Sequence, residues 1–335
     1  MESFAIHLFI DAFPDGWLKA LMDCERQPKP AWFAYRDALT PLAVNLRSDR
    51  RAFFSGEKMN VEAWVCNDTL DVPKGATLHY QIELDGKVLQ AGSTPASIQS
   101  LAPVYQGSLP FLAPEVSQRG SVTIRLGLLD SAGTVLHDTS ATFDIFARPT
   151  ARPLRRLYII GTPGGAAARL AADLGCEPVY RGKIDPGDAI LIDNPAEFEK
   201  VRDTVTQAVR AGAHAIFLAM PKGTLRIAQT DIIVGARPRG LYFVSRDTGH
   251  PLVEGFEPQD FKFWYHAALD RPAPLLVAGS FSAPGWKPIL LSGTEFAAGS
   301  RDDEKGLWCI CQVELAGRIA GNPVAEIFAR RLLAQ

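Results

Sequence analysis

The amino-acid sequence predicts a multidomain chain: a β-sandwich, then an α/β domain with a doubly wound parallel sheet, both behind a short helical segment. Three observations lead there. Between Leu42 and about Arg148, apolar residues recur with period two and no helical stretch intervenes. From Leu157 onward, short continuous apolar runs alternate with helical patterns, as a parallel sheet covered on both faces requires. The length, 335 residues, suits about two domains.

Residues 1–41 read as helical. "DAFPDGWLKALMD" places Trp17, Leu18, Leu21 and Met22 at helical spacing. After the break at Pro28 and Pro30, "AWFAYRDAL" gives a second short helix carrying Trp32, Phe33 and Tyr35. Two short helices with this many large aromatics cannot bury them alone. Trp17, Trp32, Phe33 and Tyr35 are therefore expected to form an interface.

Residues 42–148 read as strands. "MNVEAWVCND", "ATLHYQIELDGKVLQAG" and "SVTIRLGLLDSAGTVLHDTSATFDIFA" are separated by turn residues. Asp85-Gly86 predicts a two-residue hairpin, and Ser131-Ala132-Gly133 a slightly longer one. The spacing predicts an antiparallel sandwich of about a hundred residues, immunoglobulin-like in size, without the cysteine–tryptophan–cysteine signature of antibody domains. The proline-punctuated, basic stretch "ARPTARPLRR" marks a linker, placed at 149–155.

Residues 156–335 alternate. "RLYIIG", "DAILIDN" and "AHAIFLAM" are buried-strand patterns, and "TPGGAAARLAADLG" and "PAEFEKVRDTVTQAVRAG" are the helices between them. "WKPILLSG", "GLWCICQVEL" and a last helix, "NPVAEIFARRLLA", complete the region. This is the pattern of a doubly wound sheet.

Composition narrows the function. A net charge of -2 offers no general attraction to nucleic acid or anionic lipid, so neither is expected as a partner. The five cysteines have no metal-type spacing, and Cys309 and Cys311, two apart in a strand, share a face badly placed for a mutual disulfide. No metal and no cofactor is expected. "MESFAIHLFIDAF" has no positively charged start, and its apolar run is too short to span a membrane. With buried thiols expected, the location reads as cytoplasmic.

Several stretches carry site chemistry. "GTPGGAAARL" is a glycine-rich strand-to-helix turn whose N–H groups suit a phosphate. Its spacing matches neither the dinucleotide nor the P-loop motif, which favours a plain tight connection. "SRDTGHPLVEGF" gathers Asp247, His250 and Glu254, groups able to bind a metal or move a proton, though no metal-ligand spacing is present. Trp264, Tyr265 and Trp286 are candidates to stack on a sugar ring, set against a core role. No serine or cysteine stands where "AIFLAM" ends, at Met220-Pro221, so no nucleophile elbow is read.

The junction between the first two segments carries a resemblance. "GWLKALMD…RQPKPAWFAYRDALTPLAVNLRSDRRAFFSGEKMNVEAWVCND" resembles the end of the catalytic barrel and the start of the following immunoglobulin-like sandwich in glycoside hydrolase family 2, which holds β-galactosidases, β-mannosidases and β-glucuronidases. "SRDTGHPLVEGFEPQDFKFWYH" and "GLWCICQVELAGRIAGNPVAEIFARRLL" are similar to an additional C-terminal domain of some of these enzymes. That domain has a flavodoxin-like, class I glutamine amidotransferase-like fold, as in the trimerisation domain of some β-galactosidases.

The resemblance implies a role without catalysis. Residues 1–41 stand for the last helices of the barrel only, so neither of the two catalytic glutamates has a counterpart here. The amidotransferase family's nucleophilic cysteine would follow "AIFLAM" and has none either. The implied function is a structural or assembly role in carbohydrate metabolism, as the C-terminal portion of a family 2-like glycosidase. Its partner would be a catalytic barrel or a second copy of the chain, with a glycan as a further ligand. The alternative is a self-standing glycosidic hydrolase, or a sugar-binding module, with its site in the α/β domain.

Overall fold

The structure is a computed structural model; it describes residues 9–11, 13, 20–149, 154–238 and 243–334. It is mostly β, and divides into two compact units that are not contiguous in sequence. The first takes residues up to Ser48 with Asn60–Phe111 and Val122–Thr142; the second takes Asp49–Met59, Leu112–Ser121 and the chain from Phe143 onward.

The chain enters through α1 (Pro30–Ala38), with Pro30 in its first turn, where the missing N–H costs nothing. Of the helix expected upstream, Trp17 lies outside the described residues. Leu21 and Met22 are not helical. Met22 bridges to Ile10 and Pro28, and its N–H donates to the Phe9 carbonyl at 3.1 Å. Lys29 pairs with the buried Asp11 carboxylate to close this loop.

Eight strands follow: β1 (Leu42–Arg47), β2 (Ala52–Phe54), β3 (Lys58–Asn67), β4 (Thr77–Leu84), β5 (Lys87–Pro95), β6 (Ala102–Leu112), β7 (Gly120–Leu129) and β8 (Val135–Phe146). They form a three-stranded sheet, β1-β3-β6, and a five-stranded sheet, β2-β8-β7-β4-β5. Alternation sets the core of the first unit. Val44, Ala63 and Val65 from one sheet pack with Leu78, Leu126 and Leu128 from the other, as a β-sandwich requires. The expected hairpin is present: Asp85 and Gly86 both have positive φ, 47° and 83°, between Leu84 and Lys87 in register. At the second turn, the Asp130 carboxylate accepts the N–H groups of Ala132 and Thr134 at 2.8 and 2.9 Å.

In the second unit, β2 pairs in parallel with the end of β8, from Ala52↔Asp144 to Phe54↔Phe146. The remaining elements are β9 (Leu157–Ile160), α2 (Ala166–Asp173), β10 (Ala189–Ile192), α3 (Pro195–Ala211), β11 (His214–Leu218), β12 (Gly223–Ile227) and β13 (Thr230–Val234). After these come β14 (Phe263–His266), β15 (Arg271–Pro274), β16 (Phe281–Ser282), β17 (Lys287–Ser292), β18 (Glu295–Asp303), β19 (Gly306–Cys311) and α4 (Pro323–Ala334). One nine-stranded sheet runs β12-β13-β16-β18-β19-β11-β10-β9, with β17 also on β18.

Only β9, β10, β11 and β19 are mutually parallel. The sheet is thus mixed, where the sequence suggests parallel strands throughout; β12, β13, β16, β17 and β18 join antiparallel, and β14 and β15 form a separate two-stranded sheet. β10 and β11 are buried along their whole length, which explains their unbroken apolar sequence. Side chains alternate to two cores. Leu191, Ile216 and Cys309 face the core covered by α2 and α4, and Ile190, Phe217 and Trp308 face the core covered by α3. α3 is well specified locally: the Asn194 side chain caps it by accepting from the N–H groups of Ala196 and Glu197, and Gly212, at φ 126°, ends it.

Val179 fixes the course of the chain. It exchanges hydrogen bonds with Leu157 and Ile159 at 2.8 Å each, whereas β10 bonds to Arg156 and Ile160. Val179 and β10 therefore flank β9 on opposite edges, and the chain reverses its direction across the sheet between β9 and β10.

Candidate functional site

In open α/β sheets the ligand crevice lies at such a reversal, beyond the carboxyl ends of the strands. Here that position is filled by the chain's own Asp193. From the end of β10, its carboxylate accepts the N–H of Ala167, at the start of α2, at 2.9 Å and that of Thr162 at 3.3 Å. A Cβ at Gly161 or Gly165 would stand 1.9 or 2.2 Å from an Asp193 oxygen. The glycines of "GTPGG" thus admit an internal carboxylate to the helix start. The plain tight connection is what the structure holds.

The end of β11 is closed as well. Ala219 is the left-handed residue after the strand, at φ 50°, so the turn is strained, yet it carries no nucleophile. Behind it the fully buried Gln312 locks Met220, accepting its N–H at 2.6 Å and donating to its carbonyl at 2.9 Å.

Asp247, His250 and Glu254 separate. Asp247 lies exposed in the short 3-10 turn Arg246–Thr248. His250 Nδ1 accepts the N–H of Leu252 at 3.2 Å, and Nε2 lies 3.1 Å from the Ser300 hydroxyl. With Nδ1 an acceptor, the neutral ring carries its proton on Nε2 and points it at Ser300, the wrong tautomer for a base that activates serine. Burial, and then the Lys287 charge, lower the His250 pKa and keep the ring neutral. Glu254 is exposed, and its backbone carbonyl accepts from Arg331 at 2.7 Å.

Trp264, Tyr265 and Trp286 do not form a stacking platform. Trp264 (4% exposed) and Trp286 (6%) lie in cores on opposite faces of the sheet. Trp264 donates to the Asp260 carbonyl at 2.7 Å, and Tyr265 donates its hydroxyl to Asp270 at 2.8 Å. The bland alternative, core and turn, describes all three.

The α1 aromatics fare differently. No residue of α1 is buried. Phe33 is 45% exposed, Trp32 and Tyr35 are half-buried, and Trp32 meets Phe9 edge-to-face at 5.5 Å. Trp32, Tyr35, Leu39 and Phe9 line a shallow hollow of about 430 Å³ with little polar surface. Three of the four expected interface residues thus share one exposed helix; Trp17 lies outside the described residues.

Another hollow, about 700 Å³, is in the second unit and has no signal in the sequence. Arg148, Arg330 and Arg331 line it with Glu254, the one predicted site residue there. These arginines come from a strand end and the last helix, and nothing in their separate sequence contexts shows that they meet. Among the described residues, no group of three or more His, Cys, Asp or Glu side chains is placed to hold a metal ion. No helix among them is long and apolar enough to cross a membrane.

No family model matches the chain. No curated protein matches it either. Among solved structures it is similar to an exo-chitosanase from Amycolatopsis orientalis, at 19% identity over 37% of this chain and 13% of that one, with a TM-score of 0.31. It is also similar to a variant of β-glucuronidase 2 from Bacteroides uniformis, at 13% identity over 56% and 24%, TM-score 0.24. A third likeness is to fibronectin(III)-like modules of CbhA from Clostridium thermocellum, at 15% identity over 32% and 99%, TM-score 0.19. The chain spans about an eighth of the exo-chitosanase and a quarter of the β-glucuronidase.

Proposed function

We propose that the chain is a non-catalytic accessory portion of a family 2-like glycoside hydrolase, acting in assembly rather than in bond cleavage. The observation that carries this is α1, a helix with no buried residue that presents Trp32, Phe33 and Tyr35 beside an apolar hollow. In this reading the three side chains dock on a catalytic barrel or on a second copy of the chain. The resemblance of residues 16–68 to the barrel–sandwich junction supports the barrel as occupant.

The second region is then a doubly wound, flavodoxin-like domain of the amidotransferase-like class. Its support is the order Val179, β9, β10, β11, β19, with helices on both faces. The closed turn at Ala219 and the filled crevice at Asp193 support a scaffold in place of an enzyme. Five unpaired cysteines support a reducing compartment such as the cytoplasm.

Sedimentation velocity tests the docking role, on the chain alone and mixed with a family 2 catalytic barrel, against the variant Trp32→Ser/Phe33→Ser/Tyr35→Ser. The proposal expects association in one of the two settings and its loss in the variant. A monomer in both settings, or association that the variant leaves unchanged, contradicts it.

A further inference from the structure

We propose that the hollow of the second unit lined by Arg148, Arg330 and Arg331 binds a small molecule carrying an oxyanion, carboxylate or phosphate, on an apolar body. This is separate from the docking role of α1. The volume, about 700 Å³, is that of a small-ligand site. Among the described lining residues there are three guanidinium groups and one carboxylate, Glu254; Glu326, outside the lining, pairs with Arg330.

The guanidinium groups are held in place before any ligand arrives. Arg331 donates to the carbonyls of Leu252 and Glu254 at 3.2 and 2.7 Å and lies over the Phe256 ring at 4.8 Å. Arg148 donates its Nε to the Ser55 carbonyl at 3.2 Å and lies over the Phe54 ring at 5.5 Å. Arg330 donates its Nε to Glu326 at 2.8 Å. The remaining N–H groups of Arg148 and Arg330 have no partner among the described residues. An arginine already held by a hydrogen bond loses less freedom when it grips a planar or tetrahedral oxyanion. Apart from Ser117, the other described lining residues are apolar, Leu154, Pro251, Leu252 and Ile327 among them. Such a wall suits an apolar body better than a polyhydroxylated one, and the arginines supply the selectivity.

The test is titration of the whole chain at low salt with benzoate, phenyl phosphate and the neutral benzyl alcohol, followed by calorimetry. The proposal expects at least one anion to bind, weakening with salt, and benzyl alcohol to bind at least about tenfold more weakly, the size of one charged hydrogen bond. The better anion identifies the head group. Arg330→Gln and Arg148→Gln are each expected to weaken binding about tenfold. Both side chains are at least partly exposed, so the variants are expected to fold, which a thermal melt checks. Binding of neither anion, equal binding of the alcohol, or full affinity in the Arg148→Gln/Arg330→Gln double variant overturns the proposal.

Discussion

Arg119 grips Asp260 through two parallel hydrogen bonds, Nη1 at 2.7 Å and Nη2 at 3.0 Å, across 141 residues of sequence. Asp260 is 8% exposed, and Arg119 also bonds Asp144 and lies over the Phe146 ring. A buried carboxylate held by one bidentate cation is costly to leave alone. Arg119→Ala is expected to destabilise the second unit by about 3–5 kcal/mol, and Arg119→Lys to restore only part, because an ammonium lacks the fork. Urea unfolding of the two variants checks this.

The Asp193 cradle makes a second prediction. Gly165→Ala sets a Cβ against the Asp193 carboxylate, which must leave its N–H donors to make room, and Asp193→Ala removes the acceptor of the Thr162 and Ala167 N–H groups. Each is expected to lower stability by about 1–3 kcal/mol, measured by denaturant midpoint at constant slope.

His214 gives the pH dependence. Burial, and then the Arg155 charge, hold its pKa at about 4 in the folded chain, below its ordinary 6.5. Between these values the unfolded chain binds the extra proton, so stability falls as pH drops from 6.5 toward 4 and this loss stops below 4. The total is about 3 kcal/mol. His214→Leu is expected to flatten that part of the curve, read from melting temperature against pH.

Ala228 and Gln229 make the turn between β12 and β13, and both have positive φ, 48° and 63°. Gln229→Gly is expected to stabilise by about 1 kcal/mol, since a side chain in that conformation is strained. A loss of stability in thermal unfolding would contradict the assignment.

The same turn shows where the sequence fell short. A two-residue hairpin is recognised by its glycine or asparagine, as at Asp85-Gly86; Ala228-Gln229 carries neither, so the β12–β13 hairpin had no local signal. The parallel strands and α3 were legible because burial on both faces and the Asn194 and Gly212 caps are written locally. The link from Arg119 to Asp260 and the parallel pairing of β2 with β8 were not, since each depends on residues far apart in the chain. Trp264 and Trp286 were grouped as one platform because period and composition do not say which face of a sheet a distant strand presents.

Cys309 and Cys311 are fully buried, and burial pushes the Cys311 thiol up to about 12. In the native chain only Cys24, Cys66 and Cys176, all half-buried, are expected to react with a thiol reagent at pH 8. Counting the modified residues by mass spectrometry, before and after unfolding, gives the result directly.

The accessory role stands or falls on turnover. The purified chain is to be assayed on chromogenic β-galactosides, β-mannosides and β-glucuronides. The account predicts none. Sustained hydrolysis that survives repurification and is lost in Glu254→Gln or Asp247→Asn would contradict it, and would place an active site in the second unit.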